Sequence, residues 1–280
     1  MTIPKIIHQT MSDKNTLDDL ATRNIVKLKS LNKGWEHRLY DDGERRKFIL
    51  DRYGEEMLQY YEKIDPLYGA ARADLFRYLA LYEYGGVYLD IKSTANRSFD
   101  EVLRDDDAYL LSHWRNRPGD KYEGWGIYPN IDGVKDEYQQ WHIIASPGHP
   151  FLAAVIEKVR QNIDRYNPFI HDVGRKGVVR LTGPIAYTSA IGPIEGFHAH
   201  RLIDIEDLGF EYSIYPPTEA HKYGHVGLFK SHYSYRVHPI VIREKKGDAW
   251  SLLIDILTAY RLVRRAVRDS IKKMVGRQLD

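Results

Sequence analysis

No cysteine occurs among the 280 residues. That absence excludes disulfides, thiolate zinc sites and cysteine nucleophiles, and it fits a reducing compartment. A large net charge is missing too: 41 Lys and Arg against 39 Asp and Glu leave +2. Capture of nucleic acid by a global positive field is thereby excluded, and no nucleic-acid partner is expected. No uninterrupted apolar run approaches the ~20 residues that span a bilayer. The first ten residues, MTIPKIIHQT, lack the apolar segment of a signal peptide, so a cytoplasmic protein is expected. Phenylalanine is scarce, 8 residues, whereas there are 21 Tyr and 5 Trp. Flat rings with a polar handle suit stacking on sugars and bases, and equally suit ordinary amphipathic packing.

The pattern along the chain alternates strands with helices. KIIHQ (5–9) and WEHRLYDD (35–42) read as strands, with helix-compatible stretches at 16–31, 43–53 and 55–63. PLYGAARADLFRYLALYE (66–83) is the clearest helix, opened by Pro66 and stopped by Gly85 and Gly86. VYLDI, AYLLSHW and the apolar QQWHIIASP follow, then the amphipathic helix HPFLAAVIEKVRQNID and a further helix after LTGP. Residues 201–243 are loop-heavy. This order predicts an α/β layered domain with a mainly parallel sheet over residues 1–245 and a helical extension over 246–280. From Tyr260 to Asp280 there are seven Lys or Arg, and Leu253, Leu257, Tyr260, Val263, Val267, Ile271 and Met274 recur at helical steps. Such a basic amphipathic helix either docks on an anionic membrane surface or packs on the domain with its basic face solvated.

The stretch YGGVYLDIKST (84–94) focuses the chemistry. Two glycines permit an unusual turn, and a short apolar strand then delivers Asp90 at its tip, where open α/β sheets bind ligands. Upstream, Asp74 and Arg77 are spaced to share one helix face near that tip. A surface ion pair and a solvated strand end account for the same spacing, and such a pair contributes only a few tenths of a kcal/mol.

IPKIIHQT, ARADLFRYLALYEYGGVYLDI and SPGHPFL, in that order, resemble the DXD-type sugar transferases. That family is related to initiating α-1,6-mannosyltransferases and to bacterial capsule and lipopolysaccharide transferases, and remotely to clostridial glucosylating toxins. The resemblance covers roughly residues 3–190. It implies a GT-A-type fold, a mixed sheet flanked by helices, and a retaining glycosyltransferase. The implied donor is a UDP- or GDP-linked hexose, and the implied acceptor is a glycan or lipid-linked molecule in surface polysaccharide synthesis. By that resemblance Asp74 holds donor hydroxyls, Arg77 contacts donor sugar or phosphate, and Asp90 is the motif's first carboxylate. Tyr88 and Leu89 flank it, and Ile7, His8 and Gln9 line the nucleotide pocket. Trp125, Asp132 and Gln140 fall in the acceptor-facing region. Met11 stands where relatives carry a base-stacking tryptophan.

Lys92 replaces the second carboxylate of the motif. A Mn²⁺ or Mg²⁺ ion, the cofactor the family implies, takes oxygen ligands and stabilises a diphosphate leaving group. Three arrangements are open: Asp90 binds metal with a later residue such as His232; Lys92 supplies the positive charge itself; or the chain is inactive. Lys230, near His232, is a candidate phosphate clamp. The competing reading is a non-catalytic nucleotide- or sugar-binding domain docked on membranes.

Overall fold

A computed structural model describes residues 2–128, 134, 136–216, 233–242 and 249–276. Strand β1 (Ile6–Thr10) leads through α1 (Asp19–Leu31) to β2 (Glu36–Tyr40). The Asp18 side chain caps α1 by accepting from the Ala21 N–H. Helix α2 (Asp42–Lys63) opens with a capping box between Asp41 and Glu44. Gly54, at φ 74°, kinks it where the sequence pattern divides.

Helix α3 (Gly69–Tyr84) begins at Gly69 rather than at Pro66. Asp65 to Tyr68 form a turn instead, in which the Tyr68 N–H donates to the Asp65 carbonyl and the Leu67 N–H to its carboxylate, each at 2.8 Å. The helix stops at Gly85, and β3 (Gly86–Leu89) follows at once. Both glycines are needed. Their φ values are +63° and +101°; a Cβ on Gly85 would lie 2.7 Å from Pro147 Cδ, and one on Gly86 would collide with the Ile6 carbonyl oxygen.

The chain continues through β4 (Thr94–Ala95), α4 (Phe99–Val102), β5 (Tyr109–Ser112), β6 (His142–Ala145), α5 (Pro150–Asp164), α6 (Gly174–Leu181) and α7 (Pro184–Ile191). Strands β7 (Arg201–Ile203) and β8 (Phe210–Glu211) lie in the region read as loop, and α8 (Ala249–Gly276) ends the described chain. The main sheet runs β2-β1-β3-β6-β5-β7, and β4 pairs with β8 apart from it. β1 is parallel to both β2 and β3, and β5 to β7, whereas β6 is antiparallel to β3 and β5. The sheet is therefore mixed. The chain leaves β1 to one side to form β2 and returns on the other to form β3. The carboxyl ends of β1 and β3 thus flank a topological switch point, the place where open sheets bind ligands.

Strand alternation divides the core into two layers. Tyr88, Tyr109, Leu111, Ile143 and Ala145 join α2, α3 and α5 on one face. Ile7, Val87, Leu89, Leu110 and Ile144 join Leu28 of α1 and Phe99 of α4 on the other. Helix α3 is buried nearly all round, with even Asp74 and Arg77 inside.

Of the apolar positions read along α8, Leu253, Tyr260, Val263 and Val267 are exposed, as is Ile256, whereas Leu257 is half-buried. The opposite side faces the body, where Arg261 Nη2 donates to the Pro168 carbonyl at 2.8 Å and pairs with Asp172 at 3.4 Å. No helix among the described residues is long and apolar enough to cross a membrane.

Candidate active site

Asp90 follows β3 directly, and alternation places it on the Tyr88 face, toward α3. Its backbone is fixed: the Asp90 N–H donates to the Trp141 carbonyl and its carbonyl accepts the Ser93 N–H, both at 2.8 Å. From α3, Arg77 Nη2 stands 3.0 Å from Asp74 Oδ1 and 3.1 Å from Asp90 Oδ1, so one guanidinium bridges two carboxylates. The Asp74–Arg77 pair is no surface pair, since the side chains are only 4% and 5% exposed.

Every remaining polar direction around this pair is filled. Arg77 Nη1 donates to the Gln140 carbonyl at 2.6 Å and lies 3.2 Å from Gln140 Oε1, and the guanidinium sits 4.5 Å from the Tyr88 ring centre. Thr182 Oγ1 donates to Asp74 Oδ2 at 2.8 Å, and Gln140 Nε2 to Asp74 Oδ1 at 3.3 Å. The Tyr78 hydroxyl is 3.0 Å from Gln140 Oε1 and 2.8 Å from the Thr182 carbonyl. Thr182 and Tyr78 are members that sequence reasoning missed. Gly183, next to Thr182 in the LTGP segment, lets α7 start against Val179.

The charges follow from this packing. Burial raises the Asp74 carboxyl above its usual range, and Arg77 and Thr182 only partly counter that. Burial also acts on Asp90, but Lys92 and Arg77 outweigh it and hold that carboxyl below its usual range. Burial works against a charged Arg77, yet Tyr88, Asp90 and Asp74 keep it firmly protonated.

Lys92 completes the array. Its Nζ donates to Asp90 Oδ2 at 2.6 Å and lies 4.1 Å above the Tyr212 ring centre. The Tyr88 hydroxyl donates to Asp90 Oδ1 at 3.2 Å. Residues 212–214 lace this turn down: Ile214 N–H donates to the Lys92 carbonyl at 2.7 Å, and Ser93 Oγ to the Tyr212 carbonyl at 2.8 Å. Asp90 and Lys92, 20% and 15% exposed, are the open members, whereas Asp74 and Arg77 form the floor.

Comparison with known proteins gives this array a context. A family model described as "Glycosyltransferase sugar-binding region containing DXD motif" matches residues 18–109, a segment holding Asp74, Arg77, Asp90 and Lys92. Inositol phosphoceramide mannosyltransferase 3 of Schizosaccharomyces pombe is 30% identical over 186 residues, 65% of this chain and 43% of that protein. The initiation-specific alpha-1,6-mannosyltransferase of the same yeast is 25% identical over 205 residues, 68% of this chain and 48% of that protein.

The chain is similar to the DXD-type sugar-transferase family, whose model matches it over residues 18–109.

It spans less than half the length of these two relatives. Among solved structures, the PaToxG glycosyltransferase superposes with a TM-score of 0.50 at 17% identity, covering 70% of each chain. The fold is of the GT-A type, in agreement with the sequence.

The other family-implied residues fall unevenly. Gln9 reaches the site, with Nε2 3.4 Å from the Asp90 carbonyl and Oε1 2.9 Å from His37 Nε2. Ile7 and Leu89 are wholly buried in the opposite core layer. His8 is also wholly buried, with Nε2 3.0 Å from the Gly85 carbonyl and Nδ1 3.3 Å from the Tyr40 hydroxyl. Its side chain ties β1 to the glycine turn rather than lining an opening. Gln140 belongs to the charged floor, whereas Trp125 packs 5.7 Å from the Tyr212 ring that underlies Lys92. Asp132, Lys230 and His232 lie outside the described residues.

Among the described residues, the donors at this site do not fit a divalent cation. Asp90 Oδ2 is taken by Lys92, and Oδ1 by Arg77 and Tyr88. Both Asp74 oxygens are likewise engaged, and the second motif position is a cation that cannot ligate while protonated. No group of three His, Cys, Asp or Glu among the described residues is arranged to hold a metal ion.

Proposed function

We propose that this chain is a retaining glycosyltransferase that moves a hexose from a UDP- or GDP-linked sugar to a glycan or lipid-linked acceptor in surface polysaccharide synthesis. The observation that carries the reading is the Asp74–Arg77–Asp90 array at the sheet's switch point, closed beneath and open at Asp90. Asp90, the more exposed of its two carboxylates, can accept a hydrogen bond from a sugar hydroxyl. Arg77, buried and fully engaged, is a positioning residue that aims both carboxylates.

In the transfer, the bond from sugar C1 to the diphosphate oxygen breaks and its electron pair leaves with the diphosphate. The acceptor oxygen bonds C1 on the same face, and the acceptor proton passes to the departing diphosphate. No classical pair of glycosidase-like carboxylates is required for this route. Mannose is the sugar to test first, because both relatives named above are mannosyltransferases. A lipid acceptor is supported by the name of one of them and by α8, which turns an apolar stripe outward on a helix rich in Arg and Lys. We assign that stripe to the surface of an anionic bilayer, with the enzyme working on its cytoplasmic side.

The test is release of nucleoside diphosphate from a panel of UDP- and GDP-sugars, with and without lipid-linked and glycan acceptors. Turnover that is lost in Asp90→Ala and retained in an exposed control variant, Lys47→Ala, supports the reading. Donor binding with no turnover across the whole panel favours the non-catalytic binding domain, a reading that Lys92 and Met11 motivate.

A further inference from the structure

We infer that Lys92 occupies, in this chain, the place of the divalent cation, so that the donor diphosphate is held and its leaving charge stabilised by a fixed ammonium. The inference rests on the transferase reading above. It begins with charge. Asp74, Arg77, Asp90 and Lys92 sum to zero, with all four within one hydrogen-bonded chain. A metal ion placed on this array would have to displace Lys92, or Arg77 and Tyr88, from Asp90, and would face two cations already seated. An incoming diphosphate meets the reverse situation. The most open cation of the array is Lys92, at its mouth, whereas Arg77 is sealed below.

The ammonium is also preorganised. Its chain is fixed by the turn from Asp90 to Ser93, by Ile214 on the Lys92 carbonyl and by Asn24 Nδ2 on the Ser93 carbonyl at 2.8 Å. The Tyr212 ring supports it from one side at 4.1 Å. Of its three N–H donors, one is directed to Asp90 Oδ2, the acceptor it has among the described residues. The others can reach oxygens of a ligand. A preplaced charge of this kind needs no reorganisation as the C1–O bond breaks and the electron pair moves onto the diphosphate, which is the condition for strong electrostatic stabilisation. Asp90 then has a different task from that of a metal ligand: with Arg77 behind it, it holds the ammonium in place.

Binding of UDP and GDP, measured by calorimetry and thermal shift in EDTA and in Mn²⁺, tests this without reliance on turnover. The wild-type protein should bind its preferred nucleotide equally in both. Lys92→Ala should weaken binding about 10- to 100-fold, as expected for loss of a charged hydrogen bond, and Lys92→Arg should restore much of it. Lys92→Asp should bind poorly in EDTA and recover in Mn²⁺, with loss of the free Mn²⁺ paramagnetic signal reporting capture of the metal. Wild-type binding that disappears in EDTA overturns the inference and leaves the transferase reading standing. Lys92→Ala binding as tight as wild type also overturns it. If neither nucleotide binds under any condition, this inference and the transferase reading fall together.

Discussion

At the scale of single residues, the site is a set of buried charges whose stability depends on each having its partner. Removing Arg77 leaves Asp74 and Asp90 without the cation between them and the Gln140 backbone carbonyl without its donor, while Gln140 Oε1 keeps the Tyr78 hydroxyl. Arg77→Ala should therefore cost about 3–5 kcal/mol in urea unfolding, as for a broken buried pair. Thr182→Val keeps the shape but removes the donor to Asp74 Oδ2. A loss of about 1–3 kcal/mol is expected, together with a further rise in the Asp74 pKa measurable by carboxyl NMR titration. Neither partner could be assigned from the sequence. The helical spacing of Asp74 and Arg77 was legible, but spacing cannot distinguish a pair in water from one under α7. Thr182 lies more than a hundred positions from Asp74, and only the packing of α6 and α7 against α3 brings it there.

At the scale of elements, the glycine turn and the last helix matter most. The α3–β3 junction was readable because Gly85 and Gly86 have few other uses between a helix and a strand. Gly86→Ala would drive a Cβ into the Ile6 carbonyl at a φ of +101°, which L-residues avoid. We expect at least about 1–3 kcal/mol of destabilisation and misplacement of Asp90, seen as weaker nucleotide binding in protein that remains folded. Helix α8 was legible as amphipathic, whereas which face it shows to water was not. With Tyr260 and Val263 exposed, Tyr260→Asp with Val263→Asp should abolish co-sedimentation with vesicles of phosphatidylcholine and phosphatidylglycerol and leave the melting temperature nearly unchanged. Binding to those vesicles should also weaken as salt is raised. Vesicle binding unaffected by the double substitution would remove α8 from the membrane.

At the scale of the whole molecule, the two core layers enclose histidines that must stay neutral. Burial lowers His8 to about 3 and His142 to about 3. In the unfolded chain each takes up a proton below its ordinary value near 6.5. Folded-state pKa values that are depressed make stability highest above that value, and it is lost as the pH falls toward about 3. Each histidine should contribute a slope of roughly 1.4 kcal/mol per pH unit across that window. Urea titrations at neutral pH and at about pH 5 should show the decline, and His8→Gln should reduce it. The sequence by itself determined the alternation of strands and helices ahead of residue 201, the glycine turn, the strand-tip aspartate and the lysine after it. These are local matters, settled by periodicity, by backbone conformation and by residue identity. Tertiary structure decided that Asp74 and Arg77 are buried, that Gln140 and Thr182 join them, that His8 is core, and that the stripe of α8 points outward. Those outcomes depend on which surfaces exclude water from one another, and water exclusion is a property of packed layers rather than of neighbouring residues in a chain.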